Sequence, residues 1–315
     1  MRQNKVKLSH RIWLVAFAYW LAPVLSAEIV RLATYNLANY NLTNRQIEGA
    51  FLTAYPKPEK EKTALRQVIH AMDADILALQ EIGDEDFLRE LQRDLRKEGL
   101  NYPEAIVMSG VDEQRKVAVL SRLPLTEVRR HSDLDFKYFE GRELVKRGML
   151  EVRFDTMMGE VALFVVHFKS RLTERRDDPQ AKSRRGKEAT AARDRILELF
   201  PEVETARFIV AGDFNEGPLH RPVRAFSRIG VRPISTLISA EDSRGETWTY
   251  RHWRNDGYSR VDFVMVSSPL VAAVKNGKGM IPDTPEVLSA SDHRPVVMNF
   301  EFHSLATDEA IELTK

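Results

Sequence analysis

Short apolar segments rich in β-prone residues alternate along this chain with amphipathic segments of helical periodicity. Such alternation is typical of an α/β domain, in which helices cover the faces of sheets. The expected strands are residues 28–36, 74–82, 116–122, 148–154, 159–171, 207–212, 259–267 and 294–302, and the expected helices are residues 57–72, 84–99 and 178–200. The 315 residues include no linker rich in Pro, Gly or Ser, so we expect one large domain over residues 28–315.

Residues 1–27 have a different composition from the rest of the chain. They contain four basic residues and no acid, followed by an apolar run over residues 12–22 and the small residues Ser26 and Ala27. This pattern is typical of a secretory signal peptide, and it predicts a periplasmic or secreted protein. The apolar run is shorter than the roughly 20 residues of a membrane span. Leu25 is large for its place before the expected cleavage, so an uncleaved membrane anchor is the alternative.

Charge and cysteine content exclude several classes of protein. Removing the four basic residues of the leader from the formal net charge of +1 leaves −3, so any attraction for phosphate groups must be local. The chain has no cysteine, which excludes disulfides, thiolate metal sites and cysteine nucleophiles. No stable protein partner is inferred from the sequence.

Polar side chains recur where the apolar segments end or begin. They are Asn36, Glu81, His167, Asp213, Asn215, Asp292 and His293, and Asp262 lies within a further segment. Taken singly, each has an ordinary structural explanation as a turn, cap or hydrogen-bonded core residue. Their recurrence predicts a shared site, because strand ends that gather at one edge of a sheet converge in space.

The residue types at these positions suit one kind of chemistry. Glu81, Asp213 and Asp292 offer hard carboxylate oxygens, joined by the amides of Asn36 and Asn215. Such a set favours Mg²⁺ or Mn²⁺ over zinc. The remaining acid and the two histidines can handle protons. Together these groups fit attack of water on a phosphate ester.

The order of the motifs resembles the endonuclease/exonuclease/phosphatase superfamily, which includes pancreatic-deoxyribonuclease-like nucleases, sphingomyelinases and inositol polyphosphate 5-phosphatases. The stretches that carry the resemblance are TYNL (34–37), DADILALQEI (73–82), VAVLSR (117–122), VVHFKSR (165–171), GDFNEGP (212–218), SRVDFVMVS (259–267) and SDHRPVV (291–297). The resemblance implies a four-layer α/β/β/α sandwich of two packed mixed sheets, with the site at one edge.

The resemblance also implies a role for each polar residue. Glu81 would be the principal Mg²⁺ ligand, with Asn36 and Asp292 nearby. Asp213 would orient or deprotonate the attacking water, and Asn215 would hold the phosphate or that water. Asp262 would fix the tautomer of His293, and His167 would contact the phosphate or assist the leaving oxygen. Either Asp213 or His293 is the base.

Two segments bear on the substrate. HFKSR resembles a stretch of secreted bacterial nucleases, which would direct Lys169 and Arg171 towards the phosphate chain. The basic run from Arg175 to Lys187 is either a phosphate-tracking strip or a solvated helix face. The segment WTYRHWRNDG, residues 248–257, offers either a surface for base stacking or an ordinary loop with packed tryptophans.

Three functions are compatible with this sequence. The first is an exported metal-dependent nuclease with nucleic acid as its substrate. The second is a phosphatase or phosphodiesterase on a small or lipid substrate, as in a sphingomyelinase. The chain lacks the WCDR stretch expected of inositol polyphosphate 5-phosphatases, and no exposed aromatic hairpin for membrane insertion is evident. The third is a non-enzymatic binding protein, but all the residue types of the family site are present.

Overall fold

The computed structural model describes residues 27–304 of the chain. The signal peptide predicted for residues 1–27 therefore lies outside the described residues except for Ala27. The strands are β1 Ala27–Tyr40, β2 Thr43–Ile47, β3 Ala50–Tyr55, β4 Ile76–Ile82, β5 Glu104–Val107, β6 Lys116–Ser121, β7 Glu127–His131, β8 Asp135–Tyr138, β9 Gly141–Leu144, β10 Met149–Phe154, β11 Val161–His167, β12 Phe208–Asp213, β13 Arg228–Ile229, β14 Arg232–Pro233, β15 Ser235–Leu237, β16 Ala240–Glu241, β17 Tyr250–His252, β18 Gly257–Ser259, β19 Asp262–Ser267, β20 Gly279–Met280 and β21 Val296–His303.

The helices are α1 Glu59–Met72, α2 Glu85–Lys97, α3 Lys182–Leu199, α4 Arg221–Ser227 and α5 Val287–Ala290. Helix α3 begins four residues later than the sequence predicts, because a 3₁₀ turn at Pro179–Ala181 precedes it. The carboxylate of Asp178 caps its first turn by accepting hydrogen bonds from the backbone N–H groups of Ser183 and Arg184.

Two mixed sheets pack face to face. One has seven strands in the order β16-β20-β21-β1-β4-β6-β5, and the other has six in the order β15-β19-β12-β11-β10-β7. Alternate residues of the central strands point to opposite sides, so Ile76 and Ala78 lie between the sheets while Leu77 and Leu79 face the helices. Burial on both faces explains why these strands are continuous apolar runs in the sequence.

Helices cover both outer faces of the pair of sheets. Helices α1, α2 and α5 pack on the seven-stranded sheet, through Leu65, Ile69 and Leu91 among others. Helices α3 and α4 pack on the six-stranded sheet, through Ile196 and Phe226 among others. This arrangement confirms the predicted four-layer α/β/β/α sandwich. Within residues 27–304, no helix is long and apolar enough to cross a membrane.

The strand directions bring the predicted site residues to one edge. Strands β1 and β4 are parallel, and so are β11 and β12, so their carboxyl ends lie on the same side of each sheet. Strand β19 is antiparallel to β12 and pairs Asp262 directly with Asp213. Strand β21 starts beside β1, where Val296 pairs with Thr34.

The register at β12 depends on one glycine. Gly212 has a φ of +149°, and a Cβ atom there would lie 1.9 Å from the carbonyl oxygen of Val166 on the neighbouring strand. Only glycine fits such a close approach of two backbones. The close pairing of β12 with β11 therefore requires glycine at position 212, directly before Asp213.

Candidate active site

The site centres on the buried carboxylate of Asp213. Its Oδ2 accepts hydrogen bonds of 3.1 Å from the side-chain amides of Asn36 and Asn215, and its Oδ1 accepts one of 2.7 Å from the backbone N–H of Asn215. Nε2 of His167 lies 3.6 Å from Oδ2, and Nε2 of His293 lies 3.9 Å away. Four of the predicted residues thus surround the fifth.

Asp262 orients the imidazole of His293. Oδ2 of Asp262 lies 2.8 Å from Nδ1 of His293, and both side chains are buried. This pairing leaves Nε2 of the imidazole turned towards Asp213. The backbone N–H of Asp262 is held in turn by the hydroxyl of Thr249. The structure therefore brings Asp262 and His293 together as the resemblance implies.

Ser291, the first residue of the stretch SDHRPVV, belongs to the site, although the sequence pattern assigns it no role. Its hydroxyl donates to the carbonyl oxygen of Asn36 and accepts from the backbone N–H of His293. One side chain thus ties the strand that carries Asn36 to the turn that carries His293. Serine hydroxyls commonly make such local bonds in turns, which was the signal available.

The charges of the site shift the pKa values of three groups in different directions. Burial and the charge of Asp262 raise the pKa of Asp213 to about 7. Burial acts to lower the pKa of His293, but the charges of Asp262, Asp213 and Asp292 outweigh it and raise that pKa to about 10. Burial, then the charges of Arg147 and His293, hold the pKa of His167 well below its ordinary value. The two imidazoles therefore differ in protonation near neutral pH.

Glu81 lies beside the same group of residues, within 4 Å of His167. It has a φ of +59°, at an irregularity in the pairing of β4 with its neighbours. Its Oε2 accepts a hydrogen bond of 3.0 Å from the backbone N–H of Asn39, while Oε1 lies 3.9 Å from Nε2 of His167 and 4.0 Å from Nε of Arg115. The left-handed backbone at a glutamate is costly and aims its carboxylate at the site.

The donors at this edge fit a hard divalent cation. Carboxylate oxygens of both Glu81 and Asp213 lie within 4 Å of Nε2 of His167. Among residues 27–304, the buried oxygens Oδ1 of Asp262 and Oδ1 of Asn39 have no hydrogen-bond partner. Unsatisfied buried oxygens are costly unless something binds them, and oxygen-only ligand sets suit Mg²⁺.

Geometry alone singles out a different trio from the predicted metal ligands. One ligand atom from each of Asp213, Asp262 and His293 lies within 4.8 Å of the others. Within this trio, Asp262 already holds the imidazole of His293, and Oδ2 of Asp213 already accepts hydrogen bonds from two asparagine amides. Asn36 uses its amide oxygen to accept the backbone N–H of Ala38. Asn36, Glu81 and Asp292 remain the predicted ligands.

The two predicted substrate-binding cations differ in their surroundings. The ammonium of Lys169 turns back onto its own loop, where it donates to the carbonyl oxygen and hydroxyl of Ser170, and burial lowers its pKa to about 8. Arg171 is half exposed and lies 3.1 Å from Glu216. Arg147 is buried and paired with Asp112. It acts on His167 through its charge.

The basic run does not form a free strip along its whole length. Arg184 is buried and pairs with Glu143 and Glu188, and Arg185 pairs with Glu216. Within the described chain, these arginines serve to fasten helix α3 to the body of the domain. The interpretation as a solvated helix face was also incomplete, because both side chains are buried.

The aromatic segment divides between packing and exposure. Trp248 packs between the guanidinium of Arg294, 4.0 Å from its ring, and the ring of Tyr258. The ring of Tyr250 lies 4.7 Å from that of His293. Trp253 is 56% exposed, with the guanidinium of Arg251 4.3 Å from its ring. The hairpin of β17 and β18 therefore presents an aromatic surface beside the imidazole of His293.

Several solved structures share this fold. A similar structure is the endonuclease/exonuclease/phosphatase from Bacteroides vulgatus, with a TM-score of 0.60, 16% identity, and coverage of 87% of this chain and 99% of that one. Sphingomyelinase C from Streptomyces griseocarneus is similar with a TM-score of 0.58 and 14% identity, over 87% of this chain and 99% of that one. A beta toxin variant from Staphylococcus aureus with bound magnesium ions is similar with a TM-score of 0.59 and 12% identity, over 86% of this chain and 99% of that one.

These structural likenesses establish the fold. No curated protein sequence matches the chain significantly. The model of the Endonuclease/Exonuclease/phosphatase family matches residues 33–293, a range that includes every residue the resemblance assigns to the site. Members of this family are phosphoric ester hydrolases that use divalent metal ions. The predicted superfamily is confirmed, and the chain belongs to the Endonuclease/Exonuclease/phosphatase family.

Proposed function

We propose that this protein is an exported, Mg²⁺-dependent nuclease that hydrolyses phosphodiester bonds. The observation that carries the proposal is the aromatic hairpin beside His293. Tyr250 packs on the catalytic imidazole, and Trp253 with Arg251 forms an exposed stacking surface on the same hairpin. Aromatic rings and arginines bind unstacked bases with little sequence preference. A base next to the scissile phosphate would find such a surface.

The groups of the site suit in-line attack of water on phosphorus. Glu81, with Asn36 and Asp292, would hold Mg²⁺, which supplies charge stabilisation to the phosphoryl oxygens. Asp213 accepts a proton from the attacking water, which its neighbour Asn215 helps to place. The water oxygen bonds to phosphorus as the bond from phosphorus to the leaving sugar oxygen breaks.

The raised pKa of His293 assigns it the opposite role from Asp213. As a charged imidazolium it gives a proton to the leaving oxygen, while the pairing with Asp262 stabilises its charge. His167 is neutral and donates a hydrogen bond to a phosphate oxygen. These assignments support Asp213 as the base.

A hydrolysis panel on the chain lacking residues 1–27 tests the function. The substrates are supercoiled plasmid DNA, single-stranded DNA, RNA and sphingomyelin vesicles, each with Mg²⁺ and with chelator. We expect Mg²⁺-dependent cleavage of nucleic acid and none by Asp213→Asn. Turnover of sphingomyelin with intact plasmid and RNA would contradict the proposal. Trp253→Ala should raise KM for single strands several-fold, whereas Phe139→Ala, an exposed aromatic on another hairpin, should not.

A lipid phosphoester is the second candidate, and the hairpin of β2 and β3 favours it. Phe51 is 65% exposed at its turn and Leu42 is 46% exposed at its base. The sequence did not reveal this apolar hairpin, which follows the strand of Asn36 and is held by Arg45 to the carbonyl oxygen of Asn41. Vesicle flotation of Phe51→Ser beside the parent chain tests membrane contact. If lipid is the substrate, the variant loses vesicle binding and sphingomyelin turnover together.

Export is proposed on the composition of residues 1–27. Ala27 already pairs with His303 at the start of β1, so cleavage after Ala27 would leave a domain that begins on its first strand. Cell fractionation with N-terminal sequencing tests this. A mature chain starting at Glu28 outside the cytoplasm supports export, and an intact leader in the cytoplasmic fraction contradicts it.

A further inference from the structure

Four arginines line a cleft on the outer face of the domain. They are Arg193 on α3, Arg221 and Arg224 on α4, and Arg228 just after it, around a volume of about 380 Å³. We call this the arginine cleft. It lies on the layer formed by α3 and α4, the two helices that cover the six-stranded sheet. None of its lining residues belongs to the candidate active site.

The charge of the arginine cleft is largely uncompensated. Within residues 27–304, Arg221, Arg224 and Arg228 form no ion pair, and all three are exposed. Arg193 is the exception, since its Nε lies 2.6 Å from Asp194. Residues 217–233 contain no acid at all. By contrast, most other arginines of this half of the domain are paired, such as Arg184, Arg195 and Arg232.

Spacing directs these arginines to a common side. Arg221, Arg224 and Arg228 follow one another at intervals of three and four residues, which places them along one face of a helix and its exit. The side chain of Arg221 lies over Gly186 of α3, where a Cβ atom would be 2.8 Å from its Cδ. The absence of a side chain at Gly186 therefore lets Arg221 lie across the two helices.

A second cleft adjoins the arginine cleft on the side of the candidate active site. It has a volume of about 420 Å³ and shares Arg221 with the first, and its lining includes Glu216, His220 and Asp178. Glu216 follows Asn215 directly in the chain, and its charge is compensated by Arg171 and Arg185. The second cleft therefore extends from Arg221 to the residue next to Asn215.

We infer that the arginine cleft binds the phosphate backbone of a nucleic-acid strand several nucleotides away from the scissile phosphate. The inference rests on the proposed nuclease function. Several guanidinium groups along a path suit a chain of phosphates, because each phosphate contact releases condensed counterions and adds affinity. Arginine also binds phosphate oxygens with two parallel hydrogen bonds. A single small anion would use only part of this surface.

The test removes three charges from the cleft and three from the opposite outer layer. The cleft variant is Arg221→Gln/Arg224→Gln/Arg228→Gln. The matched control is Arg89→Gln/Arg93→Gln/Arg96→Gln on α2, where the arginines are also exposed. Binding of a fluorescent 20-nucleotide strand is measured by anisotropy in chelator over a range of salt, and Mg²⁺-dependent cleavage is measured on 3- and 20-nucleotide strands.

For the cleft variant we expect the slope of log affinity against log salt to become shallower by about 2. Each phosphate contact on a single strand contributes about 0.7 to this slope, and the variant removes three contacts. Its KM should rise about tenfold on the 20-nucleotide strand and stay unchanged on the 3-nucleotide strand, while the control variant behaves as the parent. Equal effects on both lengths, or none on either, would overturn the inference. If the triple variant fails to fold by circular dichroism, the single reversals Arg224→Glu and Arg228→Glu carry the same expectation.

The two proposals fail in different ways. If the parent chain hydrolyses bis(p-nitrophenyl) phosphate with Mg²⁺ but neither strand, the nuclease function is lost. If it cleaves both strands and the cleft variant matches it in salt slope and KM, the arginine cleft alone is excluded as a backbone site. Inhibition by inorganic phosphate that the cleft variant abolishes, without any length dependence, would identify a small-anion site instead and also overturn the inference.

Discussion

Nδ1 of His293 lies 2.8 Å from Oδ2 of Asp262, on a strand that pairs Asp262 directly with Asp213. The base and the proton donor proposed above are therefore held by the same two neighbouring strands. This relationship makes their protonation states depend on one another, and most of the predictions below follow from it.

Removing the imidazole should cost more than removing its partner. We expect His293→Ala to lower kcat by about 10²–10⁴-fold, because it deletes the proton donor. Asp262→Asn should lower kcat by less, since the amide can still hold the ring. Steady-state kinetics with a thermal melt of each variant measure both. His70→Ala, a partly exposed histidine in the last turn of α1, serves as the control. Unchanged turnover of His293→Ala would exclude this residue from the reaction.

Glu81 should dominate the affinity for the divalent cation. Glu81→Gln removes a charge from a position that faces His167 and Arg115, so we expect Mg²⁺ and Mn²⁺ binding to weaken at least tenfold. Isothermal titration calorimetry measures this without reference to turnover. Glu85→Gln, on the exposed first turn of α2, should bind the ions as the parent does. Parent-like binding by Glu81→Gln would refute the ligand assignment.

The pH profile should have two limbs. Below the pKa of Asp213, near 7, its carboxyl is protonated and cannot accept a proton, so kcat/KM falls as the pH is lowered. Above the pKa of His293, near 10, the imidazole has lost the proton it donates, so kcat/KM falls again. A bound dication favours ionised Asp213 and moves the acid limb to lower pH.

Asp262→Asn provides the check on this assignment. The charge of Asp262 is the largest influence that raises the pKa of His293, so its removal should move the alkaline limb to lower pH. NMR titration of the imidazole in chelator should show the same displacement. An alkaline limb that stays in place would mean that another group is responsible for it.

A buried ion pair formed by the residue that follows His293 should make the fold sensitive to acid. Asp242 accepts a 2.8 Å hydrogen bond from buried Arg294. Burial acts to raise the pKa of Asp242, but hydrogen bonds from the backbone of Glu246 and Arg244 and from Arg294 lower it to about 2. Because this pKa lies below the unfolded value of about 3.9, the stabilisation is complete above that value and is lost as the pH falls towards 2.

Asp242→Ala should lower the free energy of unfolding at pH 7 by about 3 kcal/mol, because it removes the nearest counter-charge of buried Arg294 and leaves Glu246, 3.8 Å from Nη1, as the remaining acid beside it. The difference from the parent should shrink at pH 2.5, where the carboxyl of the parent is itself partly protonated. Urea unfolding at both pH values measures this, with the exposed Asp86→Asn as control. A difference that is equal at both pH values would argue against the ion pair as its cause.

The sequence predicts the structure best where an element is buried, because burial imposes a recognisable pattern of apolar residues on it. The strands that carry Glu81 and Asp213 at or near their ends are apolar on both faces, so their apolar runs and the polar residues that follow are visible in the sequence. The helices over residues 59–72 and 85–97 show regular apolar spacing for the same reason. These elements suffice to predict the sandwich and the edge at which the polar residues meet.

Exposed elements were missed because nothing buried constrains their pattern. The hairpin of β2 and β3 is largely exposed to solvent. Its residues therefore show no regular alternation of apolar and polar side chains that would have marked Phe51 as part of a hairpin. The arginines of α4 have a regular spacing, but the helix has only seven residues and begins after a histidine. The orientation of Lys169 depends on contacts within its own loop, which residue types alone do not reveal.

The hydroxyl of Ser291 joins two parts of the chain that are 255 residues apart. Strand β1 pairs with β21, the last strand of the described domain, so this pairing cannot form until residues 296–303 have left the ribosome. The link between Asn36 and His293 is therefore completed only at the end of domain assembly. A nascent chain that stops short of β21 would lack this part of the candidate site.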